Sequence, residues 1–168
     1  TQKMVCFCLG SNVGDRAAYL KNTLELLTEN FGTASKISSI YETEPWGVSK
    51  HDDYLNMVAA FETALSPEKV FMIASSIEKK LGRIRRTGRI DPRTIDIDIL
   101  FYDDLVINKD DLIIPHPRIA SRRFVLQPLA EIMEHFVHPV FGKTIAELFS
   151  QCSDNSLVVK TKINLFLH

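Results

Sequence analysis

An α+β sandwich, in which a mostly antiparallel sheet carries helices packed on it, is the fold class that three features of the chain predict. Apolar, strand-like runs at 4–9, 54–63 and 94–102 are separated by segments of helical period at 20–31 and 67–81. The resulting order is strand–helix–strand–strand–helix–strand, followed by smaller elements. No repeat, low-complexity tract or linker interrupts it, so the 168 residues are expected to form a single domain over 1–168.

Met4–Leu9 reads as a buried strand, and Gly10-Ser-Asn-Val-Gly-Asp15 as a turn into a helix. Leu20, Leu24, Leu27 and Phe31 recur at the 3.6-residue period of one packed helical face. A second strand is predicted around Ser35–Tyr41, then a polar loop from Thr43 to Asp53 holding Pro45, Trp46 and Gly47. Tyr54–Thr63 alternates, with Leu55, Met57, Ala59 and Phe61 on one face and Tyr54, Asn56, Val58 and Ala60 on the other. Ser66 can cap the next helix, with Pro67 where its missing N–H costs nothing. Val70, Ile73, Ala74, Ile77 and Leu81 form its apolar stripe, and Gly82 ends it.

Thr94–Tyr102 is the next strand, turning at Asp103-Asp104 into a short return strand at Leu105–Ile107. Short helices are expected around Ser121–Met133 and Thr144–Phe149, and a final strand within Leu157–Leu167. This order is that of a ferredoxin-like sandwich, with helices on one sheet face and the other face open to carry a site.

The composition, 45% hydrophobic and 24% charged, is that of an ordinary soluble globular protein. A net charge of −1 gives no global basic field to recruit nucleic acid. The three cysteines are odd in number and lack zinc spacing, which predicts free thiols in a reducing compartment. The apolar run Met4–Leu9 is too short for a signal or membrane segment. A cytoplasmic monomer with no membrane or nucleic-acid partner is the expectation.

The chemistry concentrates in 83–99. Asp96 and Asp98 are two apart in a strand, so they share one face while Ile95, Ile97 and Ile99 share the other. Their Cα atoms would lie roughly 6.5 Å apart, close enough for both carboxylates to serve one or two hard cations. Upstream, Arg83, Arg85, Arg86, Arg89 and Arg93 put five guanidinium groups into eleven residues. On pattern alone, an alternating Asp strand can equally be a half-buried strand with a solvated face, and an arginine run a solvated loop. Together, acidic metal ligands beside a basic loop suit a polyanionic substrate that arrives with Mg²⁺, such as a nucleoside triphosphate.

Several segments, in order and spanning about residues 5–150, resemble the 6-hydroxymethyl-7,8-dihydropterin pyrophosphokinase family. They are Gly10-Ser-Asn-Val-Gly-Asp15, Tyr41-Glu-Thr, Tyr54-Leu-Asn56, Gly82-Arg83, Pro92-Arg-Thr-Ile-Asp-Ile-Asp98, Pro115-His-Pro-Arg118 and Arg122-Arg-Phe-Val-Leu-Gln-Pro-Leu129. The resemblance implies transfer of an intact pyrophosphoryl group from ATP to the hydroxymethyl of a reduced pterin, releasing AMP, in folate biosynthesis. It implies two Mg²⁺ ions held by Asp96 and Asp98. Arg83 and Arg93 match arginines that act on the phosphates, with Arg85 and Arg86 at further basic positions. His116 and Arg122 match other phosphate contacts, and Glu78 a residue near the nucleotide. For the pterin this implies, Asn56 can donate and accept at a pyrimidinone edge that backbone groups near Thr43 and Trp46 complete, and Tyr54 and Phe124 match the aromatic positions that sandwich the ring.

Asp91 stands where the family signature usually has Gly or Ala, Ile90 where some relatives are aromatic, and Glu44 where some have proline. These departures bear on loop closure and affinity rather than on the metal ligands. Two rival functions use the same residues. A Mg²⁺-dependent phosphohydrolase would release phosphate without an acceptor. A nucleic-acid module would stack bases on Tyr54 or Phe124, but Asp96 and Asp98 would repel its ligand.

Overall fold

The computed structural model describes residues 1–43, 53–82 and 94–166. The apolar run Met4–Leu9 lies within the first strand, β1 (Lys3–Ser11), whose residues from Val5 onward are all buried. Asp15 caps α1 (Arg16–Phe31) by accepting the N–H of Ala18 at 3.1 Å. The predicted second strand is two short pieces, β2 (Lys36–Ile37) and β3 (Tyr41–Thr43), both paired with β4 (Tyr54–Thr63). Ala59 faces Ile37 but Asn56 faces Tyr41, so one extra residue sits in 38–40 and the strand bulges there. The side chain of Ser38 fills the break by accepting the N–H of Val58 at 2.9 Å.

Ser66 accepts the N–H of Lys69 and opens α2 (Pro67–Lys80), as the sequence predicts, and Gly82 follows it at φ +92°, where a side chain would be strained. β5 (Asp96–Tyr102) is the Asp-bearing strand. The expected return strand at 105–107 does not run back along β5. Instead β6 (Ile107–Lys109) pairs with β7 (Leu112–Ile114) in a separate hairpin. After the cis Ile114–Pro115 bond and a 3₁₀ turn at Ile119–Ser121 come α3 (Arg123–Met133) and α4 (Ile145–Gln151). The C-terminal strand is confined to β8 (Val158–Lys160).

The main sheet runs β5–β1–β4–β3–β8, with β2 also on β4, and its pairings are antiparallel. The two faces have different cores. Val5, Phe7, Leu9, Leu55, Met57, Ala59, Phe61, Ile97 and Ile99 face α1 and α2. Cys6, Cys8, Val58, Leu100 and Phe101 face α3 and α4, through Val125, Leu126, Leu129, Ile145 and Leu148. The second face is therefore not left open, contrary to the one-sided arrangement expected. Leu100 and Phe101 explain this: a register shift in β1–β5 turns both to that face, and their apolar bulk needs a cover that α3 and α4 supply. The end of this face bearing Asp96, Gly10 and Asn56 lies beyond that cluster.

Candidate active site

Strand register builds the site. Asp96 pairs with Gly10, Gly10 with Asn56, and Asn56 with Tyr41, making one row across β5, β1, β4 and β3. In the next row toward the helices, Asp98 pairs with Cys8 and Cys8 with Val58. Beyond Asn56 on the other side, Thr43 pairs with Tyr54. Since alternate residues share a face, Asp96, Asp98, Asn56, Tyr54, Tyr41 and Thr43 all project to the α3 side. The alternation of β4 and β5 predicts this grouping strand by strand, and the register joins the strands.

Gly10 lies between Asn56 and Asp96, and its lack of a side chain is what leaves room there. A Cβ at position 10 would stand 2.8 Å from Asn56 Oδ1 and 3.8 Å from Tyr54 Cδ1. Asn56 and Thr43 are 3% exposed, and neither Asn56 Nδ2 nor Thr43 Oγ1 has a hydrogen-bond partner among the described residues. Buried polar atoms without partners cost about 1–3 kcal/mol each. Two of them on one sheet face, beside a gap, suit a flat ligand with hydrogen-bonding edges.

Both aspartates are partly exposed. Burial, and after it the charges of Asp98 and Asp96, push the Cys8 thiol well above its ordinary range, and burial alone pushes Cys6 up to about 12. Both thiols are therefore neutral, and all three cysteines are free. Among the described residues no group of three or more His, Cys, Asp and Glu side chains gathers as a metal cage. Two partly exposed carboxylates on one face suit a hard cation that keeps its waters and takes phosphate oxygens.

His116 Nε2 lies 4.0 Å from Asp98 Oδ2. Burial first, then the charges of Arg122 and Arg118, pull its imidazole down to about 4 against the opposing pull of Asp96. At neutral pH the ring is uncharged, so the proximity to Asp98 is no ion pair. Nδ1 accepts the N–H of Arg118 at 3.2 Å, which leaves the ring proton on Nε2, toward the carboxylates. Arg122 precedes α3, half-buried, with its guanidinium carbon 5.5 Å from the centroid of the Phe124 ring. Phe124, in the first turn of α3, is partly buried against the second core.

Glu78 is 3% exposed and accepts the N–H of Ile97 at 2.8 Å, the peptide between the two aspartates. It thus holds the edge strand β5 in place from α2. It also lines a cleft of about 360 Å³ between α2, β5 and the β6–β7 hairpin. Phe71, Ala74, Ile97 and Ile99 supply apolar wall, while Asp98 and His116 stand in the same lining. The cleft therefore reaches Asp98 of the aspartate pair.

Of the residues singled out in the sequence, Thr43, Tyr54, Asn56, Glu78, Asp96, Asp98, His116, Arg122 and Phe124 are described, and the positions above are theirs. Trp46, Arg83, Arg85, Arg86 and Arg93 lie outside the described residues. Sequence reasoning gave Gly10 no role of its own. The sequence reading ends the strand at Leu9 and puts Gly10 in the turn, whereas β1 runs on through Gly10 to Ser11; a glycine inside a strand points to a close approach.

The chain matches the family model for 7,8-dihydro-6-hydroxymethylpterin-pyrophosphokinase over residues 6–134. It is 45% identical over 127 residues to the 2-amino-4-hydroxy-6-hydroxymethyldihydropteridine pyrophosphokinase of Bacillus subtilis, covering 75% of each chain. The protein of the same name from Aquifex aeolicus is 41% identical over 139 residues, with 83% of this chain and 86% of that one covered. The folic acid synthesis protein fol1 of Pneumocystis carinii is 38% identical over 153 residues, covering 91% of this chain but only 20% of the relative. Among solved structures, a Plasmodium falciparum HPPK-DHPS chain superposes with a TM-score of 0.75 at 17% identity. That match covers 90% of this chain and 44% of the other, and it shows a shared fold. The chain belongs to the 7,8-dihydro-6-hydroxymethylpterin-pyrophosphokinase family.

Proposed function

We propose that the chain transfers the β,γ-pyrophosphoryl group of ATP to 6-hydroxymethyl-7,8-dihydropterin, giving AMP and the pterin diphosphate, as a step of tetrahydrofolate biosynthesis. The observation that carries this reading is the row Asn56–Gly10–Asp96: a buried amide nitrogen with no hydrogen-bond partner among the described residues and a carboxylate flank a position where glycine leaves space. A pterin edge suits the amide, and a metal-bound triphosphate suits the carboxylates.

Asn56 can donate from Nδ2 and accept at Oδ1, matching a pyrimidinone edge, with Thr43 beside it and Tyr54 and Phe124 as aromatic walls. Trp46 belongs to the same substrate-binding set by its place in the family pattern. The cleft lined by Phe71, Ala74, Glu78 and Ile99 offers an apolar seat for the nucleoside. Asp96 and Asp98 would hold two Mg²⁺ ions, whose charge would offset that of the triphosphate.

The remaining work is positioning and charge. His116, neutral and with its proton on Nε2, donates to a phosphate oxygen without adding a cation that the aspartates would capture. Arg122, stacked near Phe124, brings a fixed guanidinium from the end of α3. Arg83, Arg85, Arg86 and Arg93 add the forked donors that follow charge onto the departing AMP. Glu78 acts by holding β5 through Ile97, so that the two carboxylates keep their spacing. Little covalent chemistry is left to the protein.

The test is a product assay with ATP, Mg²⁺ and the pterin, quantifying AMP and free phosphate. AMP that appears only with pterin supports the transfer. Phosphate or ADP released without pterin would replace it by a hydrolase on the same framework.

A further inference from the structure

Behind the site, α3 is tied to β3 by one carboxylate. Glu131 Oε1 accepts the Tyr41 hydroxyl at 2.6 Å and the Ser39 N–H at 3.0 Å, while Oε2 accepts the Ser39 hydroxyl at 2.9 Å. Ser39 lies in the bulge between β2 and β3, where the ladder to β4 is interrupted. Tyr41 is 4% exposed and directly opposite Asn56, and Thr43 follows two residues along the same face. On α3, Glu131 is seven residues from Phe124, two turns along one side of the helix. One end of each tied element thus carries a residue of the proposed pterin slot.

We infer that the Tyr41–Glu131 contact is a positioning device that sets the separation of α3 from β3, and so the fit of the pterin between Phe124, Thr43 and Asn56. The contact touches neither substrate. It acts through the strand and the helix, whose other ends do. Its chemistry fits a fixed tie: burial would raise the Glu131 carboxyl, but the hydrogen bonds from Tyr41 and Ser39 outweigh it and hold the group below its ordinary value. The carboxylate is therefore charged and accepting throughout the neutral range. The aspartate pair and the nucleoside cleft are on β5 and α2, away from the tie, so the device should act on one substrate only.

The inference rests on the pterin reading, and its test separates the two. Binding of 6-hydroxymethyl-7,8-dihydropterin is followed by fluorescence in the presence of a non-hydrolysable ATP analogue, and analogue binding is measured separately by calorimetry. Tyr41→Phe removes one hydroxyl and keeps the ring, so the fold is retained. It is expected to weaken pterin binding about 5–20-fold and leave analogue binding within about twofold. Glu131→Gln, which still accepts from the hydroxyl, is expected to lose less than Glu131→Ala. Combining Tyr41→Phe with Glu131→Ala should cost no more than Glu131→Ala alone. Unchanged pterin binding in Tyr41→Phe, or equal losses for both ligands, would overturn the inference while leaving the pterin reading intact. No pterin binding by the unaltered chain would overturn both.

Discussion

Replacing Gly10 by alanine tests the geometry of the site at its narrowest point. The new Cβ would stand 2.8 Å from Asn56 Oδ1, where ordinary contact begins near 3.4 Å, so the amide must retreat by about 0.6 Å. It cannot swing into solvent, because Asn56 is 3% exposed and held in the middle of the row between Gly10 and Tyr41. An off-rotamer side chain costs about 0.5–1.5 kcal/mol, and a misplaced hydrogen-bonding edge about 1–3 kcal/mol more when the ligand is present. Pterin affinity should therefore fall about 10–100-fold, or about 1.4–2.7 kcal/mol. The three atoms nearest the new Cβ all belong to Asn56 and Tyr54, so binding of a non-hydrolysable ATP analogue should change by less than about twofold. The strain also lowers Tm, by about 2–4 °C per kcal/mol for a chain of this size. Calorimetric titration with each ligand, in parallel with a thermal scan, reads all three effects. Pterin affinity within twofold of the unaltered protein, at the same Tm, would refute the close approach; equal losses for both ligands would refute its placement on the pterin side.

Other substitutions probe the remaining parts. Asp96→Asn and Asp98→Asn should each lower turnover by at least about 10³-fold, with far-ultraviolet dichroism unchanged, since both carboxylates are partly exposed and the substitution keeps their size; near-normal turnover in either would remove the metal role. Glu78→Gln should keep most activity, because its amide oxygen still accepts the Ile97 N–H, whereas Glu78→Ala should cost about 1–3 kcal/mol of stability by denaturant titration. Equal loss of activity in both would assign the Glu78 charge to the nucleotide instead. His116 is depressed from 6.5 to about 4 in the fold, so between those values the unfolded chain binds more protons. Its contribution is fully present above pH 6.5 and is lost as pH falls through about 4. His116→Gln should flatten the pH dependence of stability across that window, by at most about 3 kcal/mol; parallel curves for the two proteins would contradict the buried, neutral ring.

Much of the site is legible from periodicity. Alternation alone puts Asp96 with Asp98, and Tyr54 with Asn56, on common faces, and the Ser66–Pro67 start of α2 follows from local capping chemistry. What local pattern does not carry is register. Nothing in the sequence near Gly10 says that Asn56 and Asp96 are its two neighbours, because those pairings link residues more than forty positions apart. The bulge at 38–40 is invisible for a related reason: one extra residue leaves the apolar composition of the strand unchanged but shifts which residue meets Asn56. Covering of the second face is not legible locally, because the apolar surface that Val125 and Leu126 pack against, Leu100 with Phe101, is created by a register shift between β1 and β5. Glu131 looks like any exposed helical acid until its two oxygens are found on Ser39 and Tyr41.

The central claim is that the β,γ-pyrophosphoryl group moves intact to the pterin, and the fate of labelled phosphate tests it most directly. With ATP labelled at the γ-position in one reaction and at the α-position in another, both with Mg²⁺ and 6-hydroxymethyl-7,8-dihydropterin, products are separated and counted. The account predicts γ-label on the pterin diphosphate and α-label in AMP, with no labelled free phosphate. Label from the γ-position appearing as free phosphate, or as a pterin monophosphate beside ADP, would contradict it.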